Sequence, residues 1–327
     1  MSHNLMIRNG LAAMFYVEET PWHGLGTRLH QPATAQEAIQ AAQLDWQVTK
    51  TPVYANVEGN RLVVPDTYAV IRQESQSPVL GVVSKDYTPL QNREAFAFFD
   101  PIVGEKAAIY HTAGALGNGE RIWLLAKLPE QMRITGDDVA DKYVLLANSH
   151  DGKGSVQIKF TSVRVVCQNT LTLALYGGET FRFVHTPDVK QRLRGAGQLL
   201  AQIRQRYDTT ESALQAMTRV SITRERLKEY LTQVFPDVDP VDEAAVNRVR
   251  KARSWSEYFF DQGRGNRLSG VTGSLWAAFN GVTEWLDHRK TKQNPGQRLN
   301  SIWFGDNYRI KARAFTLAQE KTETWRN

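Results

Sequence analysis

The sequence predicts an α+β protein, in which an N-terminal, mainly antiparallel sheet with short helices is followed by a helical C-terminal part. In the first half, short runs rich in β-branched and aromatic residues are separated by turn residues, as strands favour. From about residue 185 onward, apolar residues recur at steps of three and four, which is typical of amphipathic helices. The chain of 327 residues, 42% hydrophobic and 23% charged, is long enough for a substantial core.

The first half begins with a helix start signal and continues with strands. Thr34 and Glu37 form a T-x-x-E capping box, which predicts a helix after Thr34. A second short helix is expected at 94–99, and the glycine-rich stretch 114–119 is interpreted as a hairpin turn between two strands. Strands are predicted at 46–54, 61–64, 67–72, 79–83, 107–112, 121–128, 142–147 and 155–166.

The second half carries a heptad stripe, defined as Val189, Leu193, Ala196, Leu200, Ile203 and Tyr207. Thr209-Thr210 is expected to end this helix, and further helices are predicted at 211–219, 223–235, 241–260, 271–289 and 308–321. The change of period predicts two domains, a sheet domain at 1–185 and a basic helical region at 186–327. An apolar helix face must be buried in its own chain or against a neighbour, so we expect a homo-oligomer.

Composition excludes several classes of protein. Cys167 is the only cysteine, which excludes an intrachain disulfide and a Cys-rich zinc site. The first 19 residues lack the sustained apolar run of a secretory signal, and no window reaches the roughly 18 apolar residues of a membrane span. The sequence therefore predicts a cytoplasmic protein with no membrane partner.

Charge is distributed unevenly along the chain. Residues 1–160 hold 14 Lys and Arg against 17 Asp and Glu, whereas residues 161–327 hold 26 against 17. The second half thus has a net charge of +9, which indicates either a polyanion partner or a set of solvated basic helix faces.

Basic and aromatic residues lie together in the predicted helix 241–260. Phosphate neutralisation by cations and base stacking on aromatics are the two contacts that single-stranded nucleic acid needs. The candidate nucleic-acid-binding residues are Lys159, Arg164, Arg248, Arg250, Lys251, Arg253 and Trp255.

The segment 148–178 is the densest in distinctive residues. Asp151-Gly152 predicts a turn, and Asn169 predicts the N-cap of a short helix at 170–176. The junction either presents Arg164, Gln168 and Asn169 to an anion or is a structural capped helix. Cys167 follows two valines, which favours a small buried residue over a nucleophile.

The residue patterns that would indicate a catalytic site, a cofactor site or a metal site are incomplete in this sequence. The glycine-rich stretch 114–119 lacks the Lys-Ser/Thr of a phosphate loop, and His150-Asp151 has no second ligand cluster at metal spacing. Glu284, Asp287 and His288 lie at helical spacing, which favours a surface ion-pair ladder over a metal site. The sequence therefore predicts no catalytic residue, no cofactor and no metal.

Six blocks of the chain resemble the phage/plasmid-like protein family, a domain-of-unknown-function family of prophages and conjugative plasmids. The blocks are PWHGLGT (21–27), YTPLQNREAF (87–96), GNGERIWLLAKLP (117–129), SHDGKGS (149–155), VRVVCQNTL (163–171) and EWLDHR (284–289). This resemblance implies a setting on a mobile element and carries over no catalytic residue, because the family has no settled activity.

Three functions compete at this point. The first is a DNA-handling protein that binds or anneals single-stranded DNA without sequence preference, and binds duplex more weakly. The second is a metal- or nucleotide-dependent enzyme that uses His111, His150 and Asp151. The third is a protein-binding counter-defence factor.

Overall fold

The computed structural model describes residues 5–17, 25–74, 77–98, 100, 108–164, 169–171, 181–194, 199–289, 301 and 305–325. It confirms the predicted α+β class, because antiparallel strands dominate the first half and helices dominate the second. Within the described residues, no helix combines the length and the apolar character that crossing a bilayer requires.

The strands form three sheets. Their bounds are β1 Ile7–Arg8, β2 Leu11–Ala12, β3 Met14–Val17, β4 Thr27–Leu29, β5 Val48–Val57, β6 Asn60–Arg72, β7 Val79–Ser84, β8 Ile109–Leu116, β9 Arg121–Thr135, β10 Asp138–Ser149, β11 Val156–Arg164, β12 Asn169–Leu171 and β13 Phe181–Phe183. The largest sheet has the order β12-β11-β10-β9-β8-β3-β4, with β13 also paired to β11. The other two are the pair β1-β2 and the sheet β5-β6-β7.

The helices are short in the first half and long in the second. Their bounds are α1 Ala35–Ala41, α2 Asn92–Ala97, α3 Val189–Arg194, α4 Leu199–Thr218, α5 Arg224–Val234, α6 Glu243–Gln262, α7 Leu275–Glu284 and α8 Asp306–Thr324, with a π-helical turn at Trp285–Arg289. The predicted capping box is confirmed, because the Thr34 hydroxyl accepts from the Glu37 backbone and the Glu37 carboxylate accepts from the Thr34 backbone.

Two predicted turns are confirmed by their backbone angles and one is newly found. Gly117 and Gly119 have positive φ between β8 and β9, so the stretch 114–119 includes the expected hairpin turn. Gly152 has a positive φ after Asp151, in the predicted turn between β10 and β11. Glu58 and Gly59 both have positive φ at the end of β5, as a type I′ hairpin turn requires.

Two local predictions are wrong. Thr209-Thr210 does not end a helix, because α4 continues through both residues to Thr218. The Thr209 hydroxyl is accommodated there by bonding back to the Gln205 carbonyl at 2.9 Å. Asn169 is not an N-cap, because it pairs with Arg164 as part of the antiparallel strand β12. The remainder of that predicted helix, and Cys167, lie outside the described residues.

The heptad stripe is buried within this chain at the positions whose side chains are described. Val189 is 0% exposed, Leu193 3% and Tyr207 2%. The Tyr207 hydroxyl accepts from the Tyr143 backbone N–H at 3.0 Å and lies 2.9 Å from the Thr161 carbonyl. These three positions therefore offer no free face to a second copy.

The chain divides into two compact units. The first unit comprises 1–129, 144–159 and 180–200, and the second comprises 130–143, 160–179 and 201–327. The division at residue 185 that the sequence predicts stays a prediction.

Candidate functional site

The first unit contains a histidine cluster, defined as Tyr87, Asn92, Asn148, Ser149, His150, Asp151 and His185. Tyr87 follows β7, and Asn92 is the first residue of α2. Asn148 and Ser149 end β10, His150 and Asp151 begin the turn after it, and His185 follows β13. Four separate parts of the chain therefore meet in one buried polar cluster.

His150 is fully buried and its proton can be located. Its Nε2 lies 3.1 Å from Asn92 Oδ1, while Asn92 Nδ2 donates to the Leu44 carbonyl at 3.0 Å. Because the Asn92 oxygen accepts, His150 Nε2 carries the proton and donates. His150 Nδ1 is then a bare acceptor, and it has no hydrogen-bond partner among the described residues.

His185 has the complementary tautomer. Its Nδ1 lies 3.1 Å from the Thr88 carbonyl, which only accepts, so Nδ1 carries the proton. Its Nε2 finds no hydrogen-bond partner in the part of the chain that the structure describes. Tyr87 stacks on the His185 ring with centroids 4.6 Å apart and donates its hydroxyl to the Ser149 carbonyl at 2.9 Å.

Burial keeps these groups neutral. Together with the smaller effect of the nearby His185, burial lowers the pKa of His150 to about 3, while Asp151 opposes the shift. Burial also lowers the pKa of His185 and raises that of Tyr87. The histidines are thus uncharged at neutral pH and stabilise the fold as hydrogen-bonding groups.

The turn at 149–155 is held against β7 by close packing. A Cβ on Gly81 would lie 2.3 Å from the Asp151 carbonyl oxygen, so only glycine fits there. The Asp151 carboxylate accepts from the Ser149 hydroxyl at 2.5 Å and from the Lys153 backbone at 2.8 Å. Among the described residues, no group of three His, Cys, Asp or Glu side chains could hold a metal ion.

The residues proposed for an enzyme are brought together only in part. His150 and Asp151 lie in the cluster, whereas His111 lies in β8. The histidine that the structure places beside His150 is His185, which the sequence pattern did not single out for this role. No sequence motif contains both histidines, which are 35 positions apart.

The second unit carries a basic–aromatic stripe on α6, defined as Arg248, Lys251, Trp255 and Tyr258. The spacing of three, four and three residues puts all four on one side of the helix. Arg248 is paired with Asp242 at 3.9 Å, but both side chains are more than half exposed, so the pair is weak. Lys251 is exposed and Tyr258 is 52% exposed.

Trp255 is the half-buried member of an aromatic stack. Its ring is nearly parallel to that of Trp285, with centroids 6.1 Å apart and an angle of 4°. Tyr258 meets it edge-on at 5.4 Å. The stack fixes the orientation of Trp255 and of the exposed Tyr258 next to it.

The other side of α6 lines a groove of about 800 Å³ with α5. Arg250 lies here and donates to Asn247 at 2.6 Å. Arg253 donates to the Phe235 carbonyl at 3.0 Å and pairs with Asp237 at 2.8 Å, which fixes the connection between the helices. The structure therefore separates Arg250 and Arg253 from the basic–aromatic stripe.

The two remaining predicted residues belong to β11. Lys159 is only 6% exposed, and burial together with Arg182 and Arg121 lowers its pKa to about 7. A phosphate contact by Lys159 requires a local rearrangement. Arg164 ends β11, and its side chain lies outside the described part of the structure.

Comparison with known proteins gives a family. Residues 79–303 match the family described as Domain of unknown function (DUF932), and the chain therefore belongs to it. The chain is similar to two proteins of Escherichia coli (strain K12), UPF0380 protein YfjQ, 32% identical over 39% of this chain, and UPF0380 protein YafZ, 32% identical over 41%. The matched segments span 46% and 49% of those proteins, about half of their length. No solved structure matches.

Proposed function

We propose that the protein binds single-stranded DNA without sequence preference, in the recombination or replication of a mobile genetic element. The observation that carries the proposal is the basic–aromatic stripe, where two cations and an exposed tyrosine lie on one helix face. The proposal places its action in the cytoplasm, as a homo-oligomer.

The charges of α6 support phosphate contacts on this side of the helix. Arg248 and Lys251 are one helical turn apart and both are exposed. No acidic residue of α6 lies between Lys251 and Tyr258 on that side, whereas the groove side contains Asp237 and Glu257. The positive electrostatic potential at the stripe is therefore less compensated by nearby acidic side chains than the potential in the groove.

The aromatic residues support single strands over duplex. Tyr258 is 52% exposed and offers ring surface two helical turns from Lys251, next to the half-buried Trp255. Stacking on aromatics needs unpaired bases and tolerates any base, because every base has a π face. Duplex hides these faces and is expected to bind more weakly.

The experiment compares two charge reversals of equal size. Arg248→Glu with Lys251→Glu changes the stripe, and Lys228→Glu with Arg250→Glu changes the groove by the same net charge. Fluorescence anisotropy with a labelled oligothymidylate is expected to show that the stripe variant loses at least about tenfold more affinity, a difference of about 1.4 kcal/mol. Equal losses, or a larger loss in the groove variant, would move the DNA away from the stripe.

A further inference from the structure

The groove between α5 and α6 has an apolar floor and cations on both of its walls. Its apolar lining includes Val238 and Val246, which are 39% and 37% exposed, and the buried Leu231. Lys228 of α5 and Arg250 of α6 also line it, and both side chains are exposed. Both helices belong to the second unit. The groove therefore offers a ligand an apolar surface between two positive charges.

Lys228 and Arg250 are the groove cations that are left unmatched within this chain. The other two cations of the lining, Arg224 and Arg253, are each paired with an aspartate at 2.8 Å. Among the residues that the structure describes, neither Lys228 nor Arg250 lies within ion-pair distance of a carboxylate. A ligand that complements the groove must therefore bring negative charges for these two side chains and an apolar group for the floor.

The connection between α5 and α6 ends in an acidic segment, defined as residues 239–243. The segment carries three exposed carboxylates, those of Asp239, Asp242 and Glu243, and the sequence has no cation from residue 236 to residue 247. At the centre of the segment, Val241 is 88% exposed, the highest value among the large apolar side chains that the structure describes. The acidic segment thus presents what the groove lacks, an apolar group flanked by negative charges.

We propose that the acidic segment of one copy docks into the groove of a second copy, and that the second copy docks its own segment in return. The carboxylates meet Lys228 and Arg250, and Val241 covers the apolar floor. Pro240 of the segment itself lines the groove, so the two complementary surfaces are neighbours. A twofold axis beside them therefore joins each surface to its complement. The assignment rests on the self-association proposed above and is independent of DNA binding.

The lining of the groove favours a short acidic segment over a nucleic acid. The carboxylates of Glu225, Asp237 and Glu257 also line the groove. A nucleic acid carries a phosphate at every nucleotide, so its backbone cannot avoid these carboxylates. The acidic segment has few charges, which can be placed at the two unmatched cations, and its valine matches a floor that a phosphate backbone leaves uncovered. Complementarity in both charge and polarity thus selects the segment.

The chemistry of this contact predicts a dimer that dissociates on dilution and in salt. Exposed ion pairs are individually weak, and salt screens them. We expect a micromolar Kd that rises at least about threefold between about 50 mM and about 500 mM salt, because the Debye length shortens over that range.

The test is a charge swap in the full chain, followed by sedimentation velocity from about 1 μM to about 200 μM, a range that brackets a micromolar Kd. The groove variant carries Lys228→Glu and Arg250→Glu, and the segment variant carries Asp239→Lys and Glu243→Lys. Each variant alone brings like charges together at both contacts, so its dimer Kd is expected to rise about tenfold or more. In an equal mixture, opposite charges meet at both contacts, and a heterodimer with about the wild-type Kd is expected.

Val241→Ser tests the apolar centre of the contact. It is expected to raise the dimer Kd about fivefold or more, because a valine loses its burial. Val184→Ser is the matched control and is expected to leave the Kd unchanged, since Val184 is also exposed, at 61%, but lies in the first unit. Far-UV circular dichroism checks that all variants fold.

The outcomes separate this assignment from self-association itself. A wild-type chain that stays monomeric over the whole range would overturn both. A wild-type dimer that the two charge variants do not weaken, or that their mixture does not restore, would overturn the assignment alone. A groove variant that dimerises normally but no longer binds oligothymidylate would give the groove to nucleic acid instead.

Discussion

The histidine cluster of the first unit is closed to solvent, whereas the basic–aromatic stripe of the second unit is open to it. His150 is 0% exposed and His185 4%, while Tyr258 is 52% exposed. The cluster includes residues of the SHDGKGS block, one of the most distinctive in the sequence, yet its two histidines and Tyr87 are neutral and held by hydrogen bonds. A distinctive sequence motif can therefore serve to stabilise the fold, whereas the charged and aromatic side chains that are accessible to a ligand lie on a helix whose sequence is less distinctive.

The pH dependence of stability tests the closed side of this comparison. The pKa of His150 is depressed to about 3 in the folded chain, and an unfolded histidine titrates near pH 6.5. Below pH 6.5 the unfolded state binds a proton that the folded state does not, so stability is lost as the pH falls from about 6.5 towards 3. Between pH 6.5 and pH 4.5, His150 is expected to cost about 2–3 kcal/mol.

Urea denaturation at the two pH values measures this loss. His150→Gln retains a side-chain donor towards Asn92 but does not titrate, and it is expected to lose clearly less stability on acidification than the wild type. His30→Gln changes an exposed histidine and serves as the control, with the same loss as the wild type. An equal acid sensitivity of His150→Gln and wild type would contradict the closed, neutral cluster.

Tyr258 tests the open side with a smaller effect. Tyr258→Ala removes an exposed ring and is expected to weaken oligothymidylate binding about fivefold, or about 1 kcal/mol, while stability changes little. Tyr54→Ala is the control, because Tyr54 is also exposed, at 40%, but lies in the first unit under Arg61. Anisotropy titrations that give the two variants the same affinity would remove Tyr258 from the binding surface.

The local elements of the fold were largely predictable from the sequence, since they depend on short-range chemistry. The Thr34 capping box, the turn at Gly117–Gly119 and the helix around Trp255 each depend on neighbours in the chain. The failures at Thr209-Thr210 and Asn169 also have a physical reason. A threonine hydroxyl can bond back within a helix, and a good N-cap residue can equally pair in a strand.

The candidate sites were predictable only where the residues are neighbours on one helix. The spacing of Arg248, Lys251 and Trp255 was visible in the sequence, and so was their separation from Arg253, which lies two positions from Lys251 and from Trp255 and therefore on another side of the helix. His185 could not be predicted beside His150, because that contact depends on how β10, β13 and α2 pack.

The salt dependence of single-strand binding tests the central proposal most directly. Affinity for a labelled oligothymidylate is measured by anisotropy from about 50 mM to about 200 mM salt, where phosphate contacts weaken steeply. The wild type is expected to bind at the low end, and Arg248→Ala with Lys251→Ala is expected to reduce the slope of log K against log salt by about 1.4, or about 0.7 for each lost contact. Absence of binding at about 50 mM, or equal slopes for wild type and variant, would contradict the proposal that this stripe binds single-stranded DNA.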